Sequence, residues 1–429
     1  MEDKKRVFIG ITDIAGYYAN IAKELTLNGY DVTFFFNNQN IYNPDVYKVA
    51  KNLWLMRAIL FAQKQYRTKK KSIVRTFWLF IRELFTPFLL FWAARHHDVF
   101  IFGFGHSFIP GCYDLWLLKK MNKRIISNIG HGSDSRPAYI DGANFSKTGK
   151  PMQLYLIRFL SRFIRKRTKR IERYSNVVIN APYTSHFNEK KFVNWFELGI
   201  PMKIEKHSFI NNQKNTIHIL HAPSRPFDKG TFYIRDAIKL LKEKGYKIEY
   251  IELTGVPHNI VLEELQNCDF VVDQIFSDGP MSGFTAEAAF YGKPAVVGGY
   301  GLKQLKTYIS ETMYPPSHIC YPDEIIKAIE LLIVDENYRL SLGVSAQNFI
   351  FTKWTPEMVT QRYMQLINNT IPDSWFFNPA SITYLHGGGL HEDKCKELVG
   401  QMINKYGIAS LQLKHRPDLE KAFVEFSTK

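Results

Sequence analysis

Ile217-His218-Ile219-Leu220-His221-Ala222-Pro223-Ser224-Arg225-Pro226-Phe227-Asp228-Lys229-Gly230-Thr231 is the stretch from which the rest of the chain is best read. Ile217 to Ala222 reads as a short strand opening an alternating series, Pro223 to Gly230 is a loop, and Thr231 opens a helical pattern reaching Lys244. Downstream, strands at Ile248–Thr254, Asp269–Asp273 and Ala295–Val297 alternate with helices at His258–Asn267 and Phe284–Tyr291. Strands this short and this apolar, each followed by a helix, predict a parallel sheet covered on both faces. Upstream the same grammar recurs. Lys5–Ile11 is a strand, Thr12–Gly16 a turn, Tyr18–Asn28 a helix stopped by Gly29, and Asp31–Phe36 a second strand, with further strands at Val99–Gly103, Arg124–Ile129 and Asn176–Asn180.

The expectation is an α/β protein with two doubly wound, Rossmann-like domains facing across a cleft. Residues 1–201 form the first domain, 202–216 a polar linker containing Asn211-Asn212-Gln213-Lys214-Asn215, and 217–370 the second domain, which ends in helices at Asp323–Val334, Glu336–Lys353 and Thr355–Asn369. Residues 371–429 read as an appended α/β segment, strand, helix, strand and helix, with no legible chemistry. A chain of 429 residues with 45% hydrophobic content is long enough for two such cores.

Two stretches carry candidate chemistry. A helix N-terminus presents unpaired N–H groups and about half a positive charge, which suits an anion. In the loop 221–230 Arg225 and Lys229 add a bidentate fork and a point charge beside it, with Ser224 adjacent. An ordinary loop with two solvated cations would look the same. The second stretch runs from Asp273-Gln274-Ile275-Phe276-Ser277-Asp278-Gly279-Pro280 through Met281-Ser282-Gly283-Phe284-Thr285-Ala286-Glu287 to Gly292-Lys293-Pro294. Its glycines admit a ligand close to the backbone, and Glu287 is placed to meet hydroxyl groups, although an acid in a helix first turn needs no ligand.

Together these stretches resemble the donor half of retaining GT-B glycosyltransferases, which pair an Arg and a Lys-Gly step with a later EA-x-x-x-GKP helix. The resemblance covers Ile217 to Leu366. It implies that Arg225 and Lys229 hold a nucleotide-sugar diphosphate, that Ser282, Gly283, Phe284 and Thr285 touch phosphate, and that Glu287 holds the ribose. Where that family carries a first glutamate, eight positions before Glu287, this chain has Gly279, with Asp278 beside it. In the N-terminal half, Gly130-His131-Gly132-Ser133-Asp134-Ser135-Arg136 is similar to the HGSD-R stretch of bacterial members. The implied roles are His131 at the donor sugar or leaving phosphate, and Asp134 and Arg136 on the acceptor side. His106 is a further candidate, and the turn from Asp13 to Gly16 is expected to line the cleft.

Within this reading no metal or other cofactor is expected. The nucleotide sugar is a substrate, and cations stand where a metal would stabilise charge on the leaving phosphate.

Net charge is +16, and its placement matters more than its size. Lys51 to Arg95 holds ten Lys and Arg against Glu83, a net +9, and Arg158 to Arg173 holds eight against Glu172, a net +7, so these two windows account for the whole excess. Aromatic residues interleave the first. Its longest uncharged run, Leu84 to Ala94, falls short of the roughly twenty apolar residues that span a bilayer. A basic amphipathic helix on an anionic membrane surface is expected instead. No nucleic-acid module accompanies the charge. Four scattered cysteines and an N-terminus without a leader pattern suggest a cytoplasmic protein, peripheral on the inner face of the plasma membrane. The function expected is sugar transfer from a UDP- or GDP-sugar to a glycan or lipid-linked acceptor in cell-surface polysaccharide biosynthesis. Two alternatives remain at this stage: a nucleotide-sugar epimerase or hydrolase of the same fold, and a non-catalytic basic nucleic-acid-binding or scaffolding protein.

Overall fold

A computed structural model describes residues 5–36, 53–68, 72–146, 148–203 and 216–428. Most of the expected linker, 204–215, and the cations Lys51 and Lys69 to Lys71 lie outside the described residues.

The N-terminal half runs β1 (Arg6–Gly10), α1 (Tyr17–Leu27), β2 (Asp31–Phe34), α2 (Trp54–Thr68), α3 (Ser72–His96), β3 (Val99–Gly103), α4 (Leu115–Lys120), β4 (Arg124–Asn128), α5 (Leu154–Tyr174), β5 (Val177–Asn180), β6 (Phe192–Asn194) and α6 (Trp195–Leu198). The second half runs β7 (Ile217–His221), α7 (Pro226–Lys229), α8 (Thr231–Glu243), β8 (Ile248–Glu252), α9 (His258–Asn267), β9 (Phe270–Val272), α10 (Gly283–Phe290), β10 (Ala295–Gly298), α11 (Leu302–Leu305), β11 (His318–Cys320), α12 (Ile325–Val334), α13 (Glu336–Lys353), α14 (Pro356–Asn368), β12 (Phe376–Phe377), α15 (Glu392–Tyr406) and α16 (Pro417–Thr428).

Two sheets result. One has the order β12-β6-β5-β4-β3-β1-β2 and the other β11-β10-β9-β7-β8. Every pairing is parallel except that of β12 with β6. The strands alternate between two cores, as the two-residue period of a pleated strand requires. Val7, Ile9, Ile101 and Ile126 face the layer that contains α1, while Phe8, Phe100, Phe102 and Ile125 face the layer of α2, α3 and α4. Both sheets are therefore doubly wound, and each places its second strand outside its first and its third on the first strand's other side.

The chain passes between the halves twice, and the two passages touch: the Met202 amide donates to the Trp354 carbonyl at 2.8 Å. After Trp354 it does not stay with the second sheet. α14 lies on α1, and the Arg124 guanidinium donates to the Leu366 carbonyl at 2.8 Å. The C-terminal segment continues on the N-terminal half. β12 extends the first sheet, and α15 and α16 bury Leu398, Val399, Met402 and Phe423 against Tyr139, Ile157 and Phe187. Where a second strand of this segment was expected, Ile408–Leu411 is a 3-10 turn.

The basic windows also resolve by facing. Arg165 and Arg167 of α5 turn inward: Arg165 donates to the Phe187 carbonyl at 2.6 Å and pairs with Glu189, and Arg167 donates to the Asp134 carbonyl. The first window is a pair of packed helices, α2 and α3. Counting only uncharged residues underestimates α3. Among the described residues it is the one helix long and apolar enough to cross a membrane by length and composition. Its last turns, however, bury Leu89, Leu90, Ala93 and Ala94 in the N-terminal core.

Candidate functional site at the cleft between the two sheets

In a doubly wound sheet the crevice opens at the carboxyl ends of the strands where the winding reverses, here between β1 and β3 and between β7 and β9. The loops singled out from sequence follow β1, β3, β4, β7 and β9.

On the second sheet, His221 ends β7 fully buried. Its Nδ1 lies 2.8 Å from the Val272 carbonyl and its Nε2 2.8 Å from the Thr231 hydroxyl, so Nδ1 donates and Nε2 accepts. Burial lowers its pKa to about 4, and it ties the strand to the start of α8. The loop then turns through the short α7 to Gly230, whose φ of 70° favours glycine. Arg225 is fully engaged: Nε meets Asp228 at 2.7 Å, and the two terminal nitrogens reach across to the Ala143 carbonyl at 3.3 Å and the Phe145 carbonyl at 2.9 Å. Lys229 lies 3.1 Å from Asp273. Burial opposes the Asp273 charge, but Lys229 and the hydroxyls of Ser282 and Thr285 outweigh it and hold that carboxyl below its ordinary range.

Ser282 caps α10 by accepting the Thr285 amide at 3.3 Å, and Gly283 is exposed at the helix start. Glu287 pairs with His258 at 2.8 Å, both half-buried, and this hydrogen bond raises the His258 pKa. Asp278 turns toward the other half and pairs with Arg136. A side chain on Gly279 would project at the Tyr183 hydroxyl, 3.3 Å from its first carbon.

On the first sheet, Asp13 caps α1: its carboxylate accepts the Gly16 amide at 3.0 Å and the Tyr18 amide at 2.8 Å. His106 Nδ1 lies 2.9 Å from the Thr12 hydroxyl, and enclosure by the cleft walls together with the Arg167 charge lowers its pKa to about 4, although part of the ring stays open to solvent. His131 Nε2 meets the Tyr18 hydroxyl at 3.0 Å, and burial lowers this histidine to about 4 as well. Asp134 accepts the His131 amide at 3.2 Å, and burial pushes it up to about 7. Arg136 joins Asp141 at 2.9 Å and Asp278. Burial opposes its charge, but the two carboxylates outweigh that and keep it protonated.

Several of these residues meet. Ser133, Arg136 and Asp141 of the first half and Ser224, Arg225, Lys229 and Asp278 of the second line one cavity of about 170 Å³. On its wall, two buried polar atoms, Asp228 Oδ1 and Arg136 Nε, have no hydrogen-bond partner among the described residues. His106, His131 and Glu287 do not line it. Ala143, Asp228, Gln274 and Phe276 line it as well, together with Gly388 and Gly389, which sequence reading passed over. The Gly142 amide donates to the Gly388 carbonyl at 2.9 Å, and the Gly389 amide donates to the Phe276 carbonyl at 2.7 Å. A side chain on Gly387 would strike the Ile140 carbonyl at 1.8 Å, and one on Gly388 would come within 2.7 Å of the Arg136 guanidinium. The signal was the run His386-Gly387-Gly388-Gly389, a cluster of three consecutive glycines ahead of a helical stretch.

No protein-family model matches the chain, and no curated protein matches its sequence. Solved structures share its general layout at 11–12% identity. HepE of Anabaena in complex with UDP-glucose is 11% identical over 85% of this chain and 99% of that one, with a TM-score of 0.45. The glycosyltransferase SnogD of Streptomyces nogalater is 12% identical over 85% and 100%, at 0.39. A putative UDP-N-acetylglucosamine 2-epimerase of Listeria monocytogenes is 12% identical over 86% and 96%, at 0.43. Likenesses this distant decide nothing about the chemistry of this chain, whose architecture rests on its own strand order.

Proposed function

We propose that this chain is a glycosyltransferase of GT-B architecture that moves a sugar from a UDP- or GDP-sugar onto a glycan or lipid-linked acceptor of cell-surface polysaccharide assembly. The observation that carries the reading is the shared cavity. Cations from both halves, Arg136, Arg225 and Lys229, converge there at the carboxyl ends of the strands, with buried polar atoms left unpartnered on its wall.

Its volume of about 170 Å³ is below the roughly 300–1,000 Å³ of typical ligand sites. The donor therefore enters as Arg225 exchanges the Ala143 and Phe145 carbonyls for diphosphate oxygens, which requires the halves to part at this contact. Lys229 and the exposed start of α10 at Gly283 supply the other contacts to phosphate, and Glu287 supplies the ribose contact. As the bond between sugar and phosphate breaks, its electron pair stays on the leaving phosphate oxygen. Pre-placed cations stabilise that charge without a metal or other cofactor, an effect of a few kcal/mol per donor in known cases. His131, neutral near pH 7, is a poor base and a good uncharged hydrogen-bond partner for sugar or phosphate oxygens. Asp13, Gly16, His106 and Asp134 shape the acceptor side. Transfer under this reading retains the anomeric configuration of the donor sugar.

The partner surface is anionic lipid on the inner face of the plasma membrane, with the protein peripheral and cytoplasmic. Supporting this, α3 exposes a row of apolar side chains, and the basic α5 belongs to the same helix layer through Ile171. A thermal-shift screen of UDP- and GDP-sugars tests the reading. One donor should bind, and Arg225→Ala and Glu287→Ala should each weaken it about ten- to a hundred-fold, the range for losing a charged hydrogen bond. Binding by no donor, or parental affinity in both variants, sinks it. Donor conversion without acceptor, followed by NMR of the sugar, identifies an epimerase or hydrolase instead.

A further inference from the structure

Outside the cleft, the described residues form a strongly cationic groove between α4 and α5. α5 turns Arg158, Arg162, Lys166, Lys169 and Arg173 outward, at the three- and four-residue spacings of one helix face. At the C-terminal end of this stripe a cavity of about 540 Å³ opens, lined by Lys166, Lys169, Arg170 and Arg173 and by the rings of Tyr113, Trp116 and Tyr174. No acidic side chain lines it. Glu189 takes one contact from its rim, at 3.0 Å from Lys169. The rings are placed rather than loose: the Arg170 guanidinium lies 3.7 Å over Tyr113, and Lys120 lies 4.5 Å over Trp116. Both rings remain about half exposed, apolar in body and polar at one end.

The groove does not stand alone. α2, α3, α4 and the end of α5 share one core over the same face of the first sheet. From that layer α3 exposes Ile73, Phe77, Phe80, Leu84, Phe88 and Phe91, each between 48% and 85% accessible. Their steps of four, three, four, four and three residues make a single apolar face. A contiguous exposed row of large apolar side chains marks a surface that binds something. A polyanion such as RNA would satisfy the cations and leave this row bare. A bilayer surface satisfies both.

We propose that the α4–α5 groove is a phosphate pocket for the headgroup of an anionic phospholipid, which seats the apolar face of α3 in the lipid interface. This deepens the membrane-partner reading above and does not depend on the donor chemistry. Cations in the groove meet the lipid phosphate, the Trp116 and Tyr113 rings sit at headgroup level, and the α3 row contacts acyl chains.

The test is flotation of the full chain with vesicles of phosphatidylcholine containing 30 mol% phosphatidylglycerol. The parent should float with the anionic vesicles and lose that binding in high salt. The double variant Lys166→Ser with Arg173→Ser, both exposed, should partition about thirty-fold less well, the loss expected for two cations at a lipid surface. Arg158→Ser with Arg162→Ser removes the same charge from the same helix outside the groove and should cost no more than a few-fold. Trp116→Ser keeps every cation and should still weaken binding about ten-fold. Equal losses in the two double variants would mean a diffuse field and overturn the pocket, as would absence of the parent from the lipid fraction. Tighter binding to a single-stranded RNA oligonucleotide than to vesicles at physiological salt would also overturn it. The same variants are assayed for nucleotide-sugar binding by thermal shift. Retained donor binding with lost flotation supports the groove as a separate site. Flotation without any donor binding leaves it standing while the transferase reading fails.

Discussion

The loop after the first strand is built differently in the two sheets. After β1, Asp13 uses both carboxylate oxygens on the amides of Gly16 and Tyr18, and the loop closes on itself. After β7, Arg225 and Lys229 extend from the loop to meet the opposite half and Asp273. The strand order is the same, so the same crevice exists twice. What differs is how the polar groups around it are satisfied. The first half holds its site histidines neutral in local contacts and carries its excess charge on the outer helix layer. The second half brings Arg225 and Lys229 to the cleft, paired to Asp228, Asp273 and two carbonyls of the first half.

That contrast can be broken most forcefully at the contact joining the halves. Arg136→Ala leaves Asp141 and Asp278 buried without their counter-charge and should cost about 3–5 kcal/mol of stability, read from the urea unfolding midpoint. A loss below about 1 kcal/mol would show that water already screens the pair. Next come two histidines that look alike in sequence. His221→Ala strands the Thr231 hydroxyl and the Val272 carbonyl in a dry core and should cost about 2–3 kcal/mol with little direct effect on donor affinity. His131→Ala should cost less than half as much but slow sugar transfer. Equal stability losses with equal turnover would erase the distinction between a buried tie and a cleft residue.

The smallest effect concerns His258. Its pairing with Glu287 raises its pKa above the ordinary 6.5, so the stabilisation is complete below about pH 6.5 and is lost as pH rises through the raised value. Glu287→Gln should bring the imidazole pKa down past its ordinary value, because burial, which opposes the charge, then acts without the carboxylate, and NMR titration follows it. It should also flatten a pH-dependent increment of under about 1 kcal/mol.

Both sheets were legible because parallel strands buried on two faces are written as unbroken apolar runs, Val99 to Phe102 and Phe270 to Val272 among them. The cleft loops were legible because their glycines and cations sit at strand ends. Facing was not. Nothing local in Arg165-Lys166-Arg167 says that the outer two turn inward while the middle one meets solvent. Neither does Asp278 announce a partner 142 positions away. The path of α14 onto α1 and the wedge of Gly387 to Gly389 between the halves are long-range choices, fixed by shape and hydrogen bonding across the chain rather than by any period within it.

The two passages between the halves meet where the Met202 amide bonds to the Trp354 carbonyl and where Gly199 can carry no side chain without striking the Trp354 ring. Two tethers that touch behave as one pin. Parting the halves at the cleft would leave this tie in place and would have to break the Arg136 contact with Asp278 and the Arg225 contacts with Ala143 and Phe145. The last fifty residues, although they follow the pin, form part of the doorframe: Gly388 and Gly389 line the cavity while α15 and α16 close a core with Tyr139, Ile157 and Phe187, so a truncation there opens the cleft wall and unseats the N-terminal half together.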